Sequence, residues 1–287
     1  MNRQQKIFLT ILGTLHVLFI AWFVLIYLTG TTDDTINLYS NIYGIIPLLS
    51  GIYGLFLAQR WGGMKSAVGK AMSFLSLGLI TWGVGMAVWL YYNIILNVEV
   101  PYPSLADAAF IISWPLWGIG AAFLSIATGA KFGAQGKGRI ILFAIPLTII
   151  ASSYYFLVTI ARQGVVSTYE DGLKTFFDLA YPIGDVVILS VALLIIGLSY
   201  KYFGGIYKIA IYLILSAFVV NYFADFTFSY TTSLGTYYNG SLADILFATT
   251  MFIFGVGIAL LDPRTASSNI KEGRYLHPLK EAQQYTT

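Results

Sequence analysis

Long apolar runs separated by short polar punctuation make up most of the chain. Eight of them, at 7–27, 42–58, 71–92, 105–127, 140–160, 177–198, 206–228 and 242–261, hold about 20 residues each. A helix of that length, rising about 1.5 Å per residue, crosses a hydrocarbon layer of roughly 30 Å. The pattern therefore predicts an all-α, polytopic bundle of eight transmembrane helices. The first run is too long for a cleaved leader and is expected to stay as a membrane helix.

The polar punctuation carries a second pattern. The fourth helix opens Ser104-Leu105-Ala106-Asp107 and reaches an aromatic at Phe110; the eighth opens Ser241-Leu242-Ala243-Asp244 and reaches Phe247. The sixth opens Thr175-Phe176-Phe177-Asp178 and reaches Tyr181. The second, from Asn37 through Ser40 to Tyr43, keeps the polar start and the aromatic but lacks the acid. A hydroxyl followed three residues later by an acid is a capping box: it satisfies the orphan N–H groups of a helix start and places negative charge at the positive end of the dipole. Ser104, Asp107, Thr175, Ser241 and Asp244 are thus expected to cap helices at one rim of the bundle. The recurrence suggests four repeated helical hairpins.

Composition strengthens the membrane reading. Only 10% of the 287 residues are charged, 57% are hydrophobic, and the mean hydropathy is +0.75, too apolar for an ordinary solvated surface. Of the 16 Lys and Arg residues, all but Arg162 and Lys174 fall on one side of the expected bundle. By the positive-inside rule that side is cytoplasmic, giving an N-in/C-in protein of the cell membrane. The net charge of +3 follows from the same bias and is no sign of nucleic-acid binding. Residues 1–262 form the expected membrane domain; 263–287 are expected to be a solvated cytoplasmic tail. Breakers at Gly62-Gly63, Gly133 to Gly138 and Gly204-Gly205 mark tight turns.

Two acids are not explained by capping. Asp185 and Asp225 fall inside their helices, with Asn221 one turn from Asp225 and Asp178 two turns from Asp185. None of the eight cores offers a Lys or Arg at mid-depth, and an ionisable group within a span points to function. The expectation is an outward-facing, aromatic-lined pocket in the outer half of the bundle, where Asp185, Asp225, Tyr181, Asn221 and Asp178 bind a small ligand or cation. No catalytic residue, metal site or cofactor is predicted. There is no Cys for thiolate sites, no core Lys for a retinal Schiff base, and only His16 within a helix. Tyr181 to Asp185 (YPIGD) and Tyr222 to Asp225 (YFAD) loosely resemble the paired-Asp motifs of intramembrane aspartyl proteases, but Pro182 stands where that family has Gly and its Pro-Ala-Leu motif is missing.

A broader likeness covers residues 78 to 261. The stretches PYPSLADAAFIISWPLWGIG, FDLAYPIGDVVILSVALLIIG and GSLADILFATTMFIFGVGIALL resemble the multi-helix N-terminal membrane domain of prokaryotic signalling proteins, which precedes a GGDEF cyclase or histidine kinase output domain. The motif positions are Pro103, Ser104, Asp107, Tyr181, Pro182, Gly184 and Asp185. The resemblance implies a sensor module; with no output domain following here, it implies a separate cytoplasmic signalling partner. The alternative class is a proton- or cation-coupled transporter built on the same acids.

Overall fold

The structure is a computed structural model that describes residues 1–29, 38–39, 42–98, 100–128, 130, 138–161, 163–164, 172–199 and 206–265. Its regular elements are all helical: α1 (Arg3–Thr29), α2 (Ile45–Arg60), α3 (Ala67–Leu90), α4 (Leu105–Ala127), α5 (Gly138–Ser153), α6 (Gly172–Ser199), α7 (Lys208–Ser233) and α8 (Leu242–Leu260). A 3-10 turn, Gly63–Lys65, precedes α3; π-helical segments, Tyr91–Ile95 and Tyr154–Ala161, prolong α3 and α5. Among the described residues no strand occurs, and seven helices are long and apolar enough to cross a membrane. The exception is α2, whose 16 residues span about 24 Å. The expected turns at Gly133 to Gly138 and Gly204-Gly205, and the tail beyond Thr265, lie largely or wholly outside the described residues.

Close approach builds the core. On α2, a Cβ at Gly51 would lie 2.6 Å from the Ser76 carbonyl of α3; one at Gly255 of α8 would lie 2.9 Å from Leu12 of α1 and from Ser50 Cβ of α2. With apolar solvent outside, membrane helices gain little by hiding apolar surface, so small residues that let backbones touch supply the packing. Trp117 of α4 sits at the centre, 1% exposed, between Phe218 of α7 and Phe254 of α8. Around it α2, α3, α4, α7 and α8 form a dense body, with α1 laid against α8.

The α5–α6 hairpin is a second layer. It buries much smaller shares of its length than α3 or α8 and meets the body through α4 and α7. A small separate cluster of Ile149, Leu157, Leu189 and Tyr222 fills that seam. The far side of α5 is bare hydrocarbon, with Phe143 76% exposed, as a lipid-facing surface requires.

One end of the bundle gathers the N-terminus and the end of α8. Asp262, just past α8, is fully buried. It accepts bonds from Asn2 Nδ2 at 2.7 Å and Arg264 Nη2 at 2.7 Å, with Arg60 3.9 Å away. Its backbone carbonyl accepts from Tyr207 Oη at 3.1 Å, and the neighbouring Leu261 carbonyl accepts from Trp61 Nε1 at 2.7 Å. Burial opposes charge on Asp262, but the bonds from Arg264 and Asn2 prevail and hold its carboxyl below the ordinary range. Asp262, the last residue of the expected membrane domain, thus closes a latch joining the N-terminus, the end of α2, the start of α7 and α8.

Candidate functional site

At the opposite end, the repeated motif folds in two ways. Ser104 caps α4: its hydroxyl accepts from Ala106 N at 3.1 Å, while Asp107 Oδ2 accepts from Ser104 N at 2.7 Å, closing the capping box. In the second copy Ser241 takes the cap position but makes no side-chain cap bond, and its hydroxyl is buried without a partner. Asp244 instead accepts from Gly240 N at 2.5 Å and Tyr237 Oη at 3.3 Å. Thr175 is not a cap, because α6 begins three residues earlier at Gly172. The Asp178 side chain lies outside the described residues.

That early start also sets the place of Asp185. Thirteen residues of α6, counting Gly172, precede it and fourteen follow it to Ser199, so Asp185 sits at the middle of α6. The neighbouring Gly184 explains how it gets there. A Cβ on Gly184 would lie 2.9 Å from the Trp114 ring; without one, α6 closes onto α4 and turns the next side chain inward. Asp185 is 3% exposed.

Across the seam, α7 supplies Asp225 and Asn221. Asp185 and Asp225 stand near one another across this seam, close enough for their charges to influence each other. Asn221 Nδ2 donates to Asp225 Oδ2 at 2.6 Å, the contact that an i, i+4 pair permits. Two acceptors in this cluster, Asp185 Oδ1 and Asn221 Oδ1, are buried with no donor. The only basic residues on α6 and α7 are Lys174 and Lys208, near the helix starts. Low-dielectric surroundings make such an unbalanced group of acids costly, and paired or protonated forms are the ones that persist there.

Tyr181 does not orient this pair. Its hydroxyl donates to Asp107 Oδ1 at 2.9 Å, tying α6 to the rim of α4 a full turn away from Asp185. Sequence reasoning missed two supports. Tyr222 Oη donates to Ser153 Oγ at 2.9 Å, pinning α7 to the last residue of α5 before its π segment. The other is Trp114, which rests on Gly184. The Ser152-Ser153 pair ending an apolar helix was the available signal for the first; nothing local marked the second.

The expected aromatic chamber takes another form. Trp82 packs on Tyr43, Phe110 and Phe247, and Trp117 on Trp114, Phe218 and Phe254, so these rings fill the core. A recess of about 470 Å³ does run between α4 and α6, lined by Ile111, Trp114, Pro115, Leu179, Ile183 and neighbouring apolar groups. Among the described residues it carries no ionisable side chain, and neither Asp185 nor Asp225 lines it.

Comparison with known proteins adds one relative. The chain is 29% identical over 181 residues to an uncharacterized protein MG294 homolog of Mycoplasma pneumoniae (strain ATCC 29342 / M129 / Subtype 1). The match covers 53% of this chain and 36% of the relative, so the chain spans about a third of that protein's length. No family model and no solved structure matches. What the site does must be argued from its own geometry.

Proposed function

We propose that this chain is an eight-span, N-in/C-in module of the cell membrane that senses a proton or small cationic ligand and signals to a separate cytoplasmic partner. The observation that carries this reading is the buried Asp185, one carboxyl oxygen unpartnered, set near the Asn221–Asp225 pair at the seam between the α5–α6 hairpin and the body. Two neighbouring carboxyls in a low-dielectric seam repel when both are ionised, and a proton or cation between them relieves that repulsion. Occupancy therefore changes the fit of α6 on α7. The resemblance to sensor domains points the same way.

A path to the other end exists in α7 itself. Asn221 sits midway along α7; one turn further on is Asp225, and immediately before the helix is Tyr207, bonded to the Asp262 carbonyl. Eighteen residues of helix put them about 27 Å apart. A shift of α7 at the acid pair is carried as a rigid rod to the latch, where a cytoplasmic partner would read it.

The second reading is a proton- or cation-coupled transporter. It draws on Asp185 at the midpoint of α6, between two packing layers that could rock against each other. The paired-Asp protease reading gains the nearness of the two carboxyls, but Asp185 lacks exposure to an attacking water. Reconstituted vesicles separate the first two. Proton- or cation-linked flux lost in Asp185→Asn would establish transport and overturn the sensor reading; a pH-dependent Trp fluorescence change without flux, also lost in Asp185→Asn, supports sensing.

A further inference from the structure

The acceptors left unsatisfied around the acid pair are specific about what could complete it. A proton shared between two carboxyls satisfies a carboxyl oxygen; it does nothing for an amide carbonyl. Asn221 Oδ1 is such a carbonyl, in a side chain 2% exposed and with no donor. Its orientation follows from the 2.6 Å bond that Nδ2 donates to Asp225 Oδ2, which requires that carboxyl oxygen to be unprotonated.

Neighbouring hydroxyls do not supply the missing donor. Tyr222 of α7 is spent on Ser153 of α5, and Tyr181 of α6 on Asp107 of α4. Tyr43, in the turn before α2, stands within electrostatic range of Asp225 but also of Asp244 and Tyr237. Among the described residues, the facing titratable groups are thus acids and tyrosines from the turn before α2 and from α4, α6 and α7, with no base among them. What the cluster lacks is positive charge that oxygen atoms can surround.

We infer that Asp185, Asp225 and Asn221 bind a small monovalent cation of the size of Na⁺, alongside the one proton that the carboxyl pair shares. The inference rests on the pair being the responsive centre proposed above. Charge fixes the valence: two carboxyls holding one proton carry a single negative charge, which one monovalent cation neutralises in a site that tolerates little net charge. Hard carboxyl and carbonyl oxygens suit such an ion. A Ca²⁺ site would want six to eight oxygens and further carboxylates, and among the described residues no group of three His, Cys, Asp or Glu is placed to hold a metal.

The test uses the full chain in detergent, titrated at constant ionic strength with NaCl, KCl, CaCl₂ or choline chloride, following the unfolding midpoint and ²²Na⁺ binding. The expected result is a saturable rise of the midpoint with Na⁺ over choline, an affinity at least about tenfold weaker in Asn221→Ala, and no binding in Asp185→Asn. Tyr181→Phe should bind Na⁺ as the wild type does. Asp225→Asn, nearly isosteric, replaces Asn221→Ala should that variant not fold.

Equal midpoints in NaCl and choline chloride would overturn the cation site, as would preference for Ca²⁺ or Na⁺ binding that survives Asp185→Asn. If the cation effect is missing while the pH-dependent Trp signal persists and is lost in Asp185→Asn, the cation inference falls and the responsive pair stands. If neither signal is present, both fall.

Discussion

Four acids on or beside the spans look alike in the sequence, yet each has a different partner set. Asp107 has Ser104 and Tyr181, Asp244 has Gly240 and Tyr237, and Asp185 and Asp225 have each other. These sets predict different mutational outcomes. Asp107→Ala strips the capping box and leaves Tyr181 without its acceptor, so it should destabilise by about 2 to 3 kcal/mol, seen as a lower unfolding midpoint. Tyr181→Phe should cost only about 1 kcal/mol and leave the pH dependence of Trp fluorescence unchanged. Asp185→Asn removes one acid while offering Asp225 a neutral donor, so the fold should survive, with a midpoint equal to or above wild type, while the pH response disappears. A drop in midpoint comparable to Asp107→Ala would show that the pair is structural cement. That Asp185 and Asp225 stand apart from the caps was legible, because capping cannot reach a residue deep inside a helix. The role of Tyr181 was not, because its partner lies 74 positions away and no local pattern encodes that contact.

Hydropathy located the helices well, since each crossing must be apolar along its whole length, but it could not fix their ends. The early start of α6 uses Gly172, Leu173 and Lys174, which are outside any apolar run, and this sets Asp185 at the midpoint of the helix. The π segments of α3 and α5 have no compositional signature either. Packing between elements depends on a few small residues, and α2 shows it most clearly. Being short, α2 holds its place by backbone contact, with Gly51 against the Ser76 carbonyl. Gly51→Ala would push a methyl to 2.6 Å from a backbone oxygen that cannot swing aside, and overpacking of this kind costs typically 1–3 kcal/mol. Unfolding in detergent should show the loss. The same substitution at Gly13, where nothing lies within 4 Å, should be neutral or slightly stabilising through helix propensity.

For the molecule as a whole, the latch at one end and the acid pair at mid-span respond to different stimuli. The Asp262 latch is electrostatic. Its carboxyl is held below its unfolded value, so its contribution is fully present above the unfolded value near about 3.9 and is lost as pH falls through the lower folded value. Wild type should therefore lose stability below about pH 4 more steeply than Asp262→Asn, a difference read as unfolding midpoint against pH. The acid pair, by contrast, should act through movement of one layer on another. The chain has no Cys, so paired labels can be placed freely. One pair, Leu147→Cys on α5 with Ile52→Cys on α2, joins the hairpin to the body at exposed sites; a second, Ile126→Cys on α4 with Ile52→Cys, lies within the body. Electron–electron distance measurements in lipid should show the first distribution shifting between acid and neutral pH and the second holding still. The shift should vanish in Asp185→Asn, because the charge that drives it is gone. A first distribution that never moves, or two that move together, would mean that α5–α6 is fixed to the body and that protonation of the seam is mechanically silent.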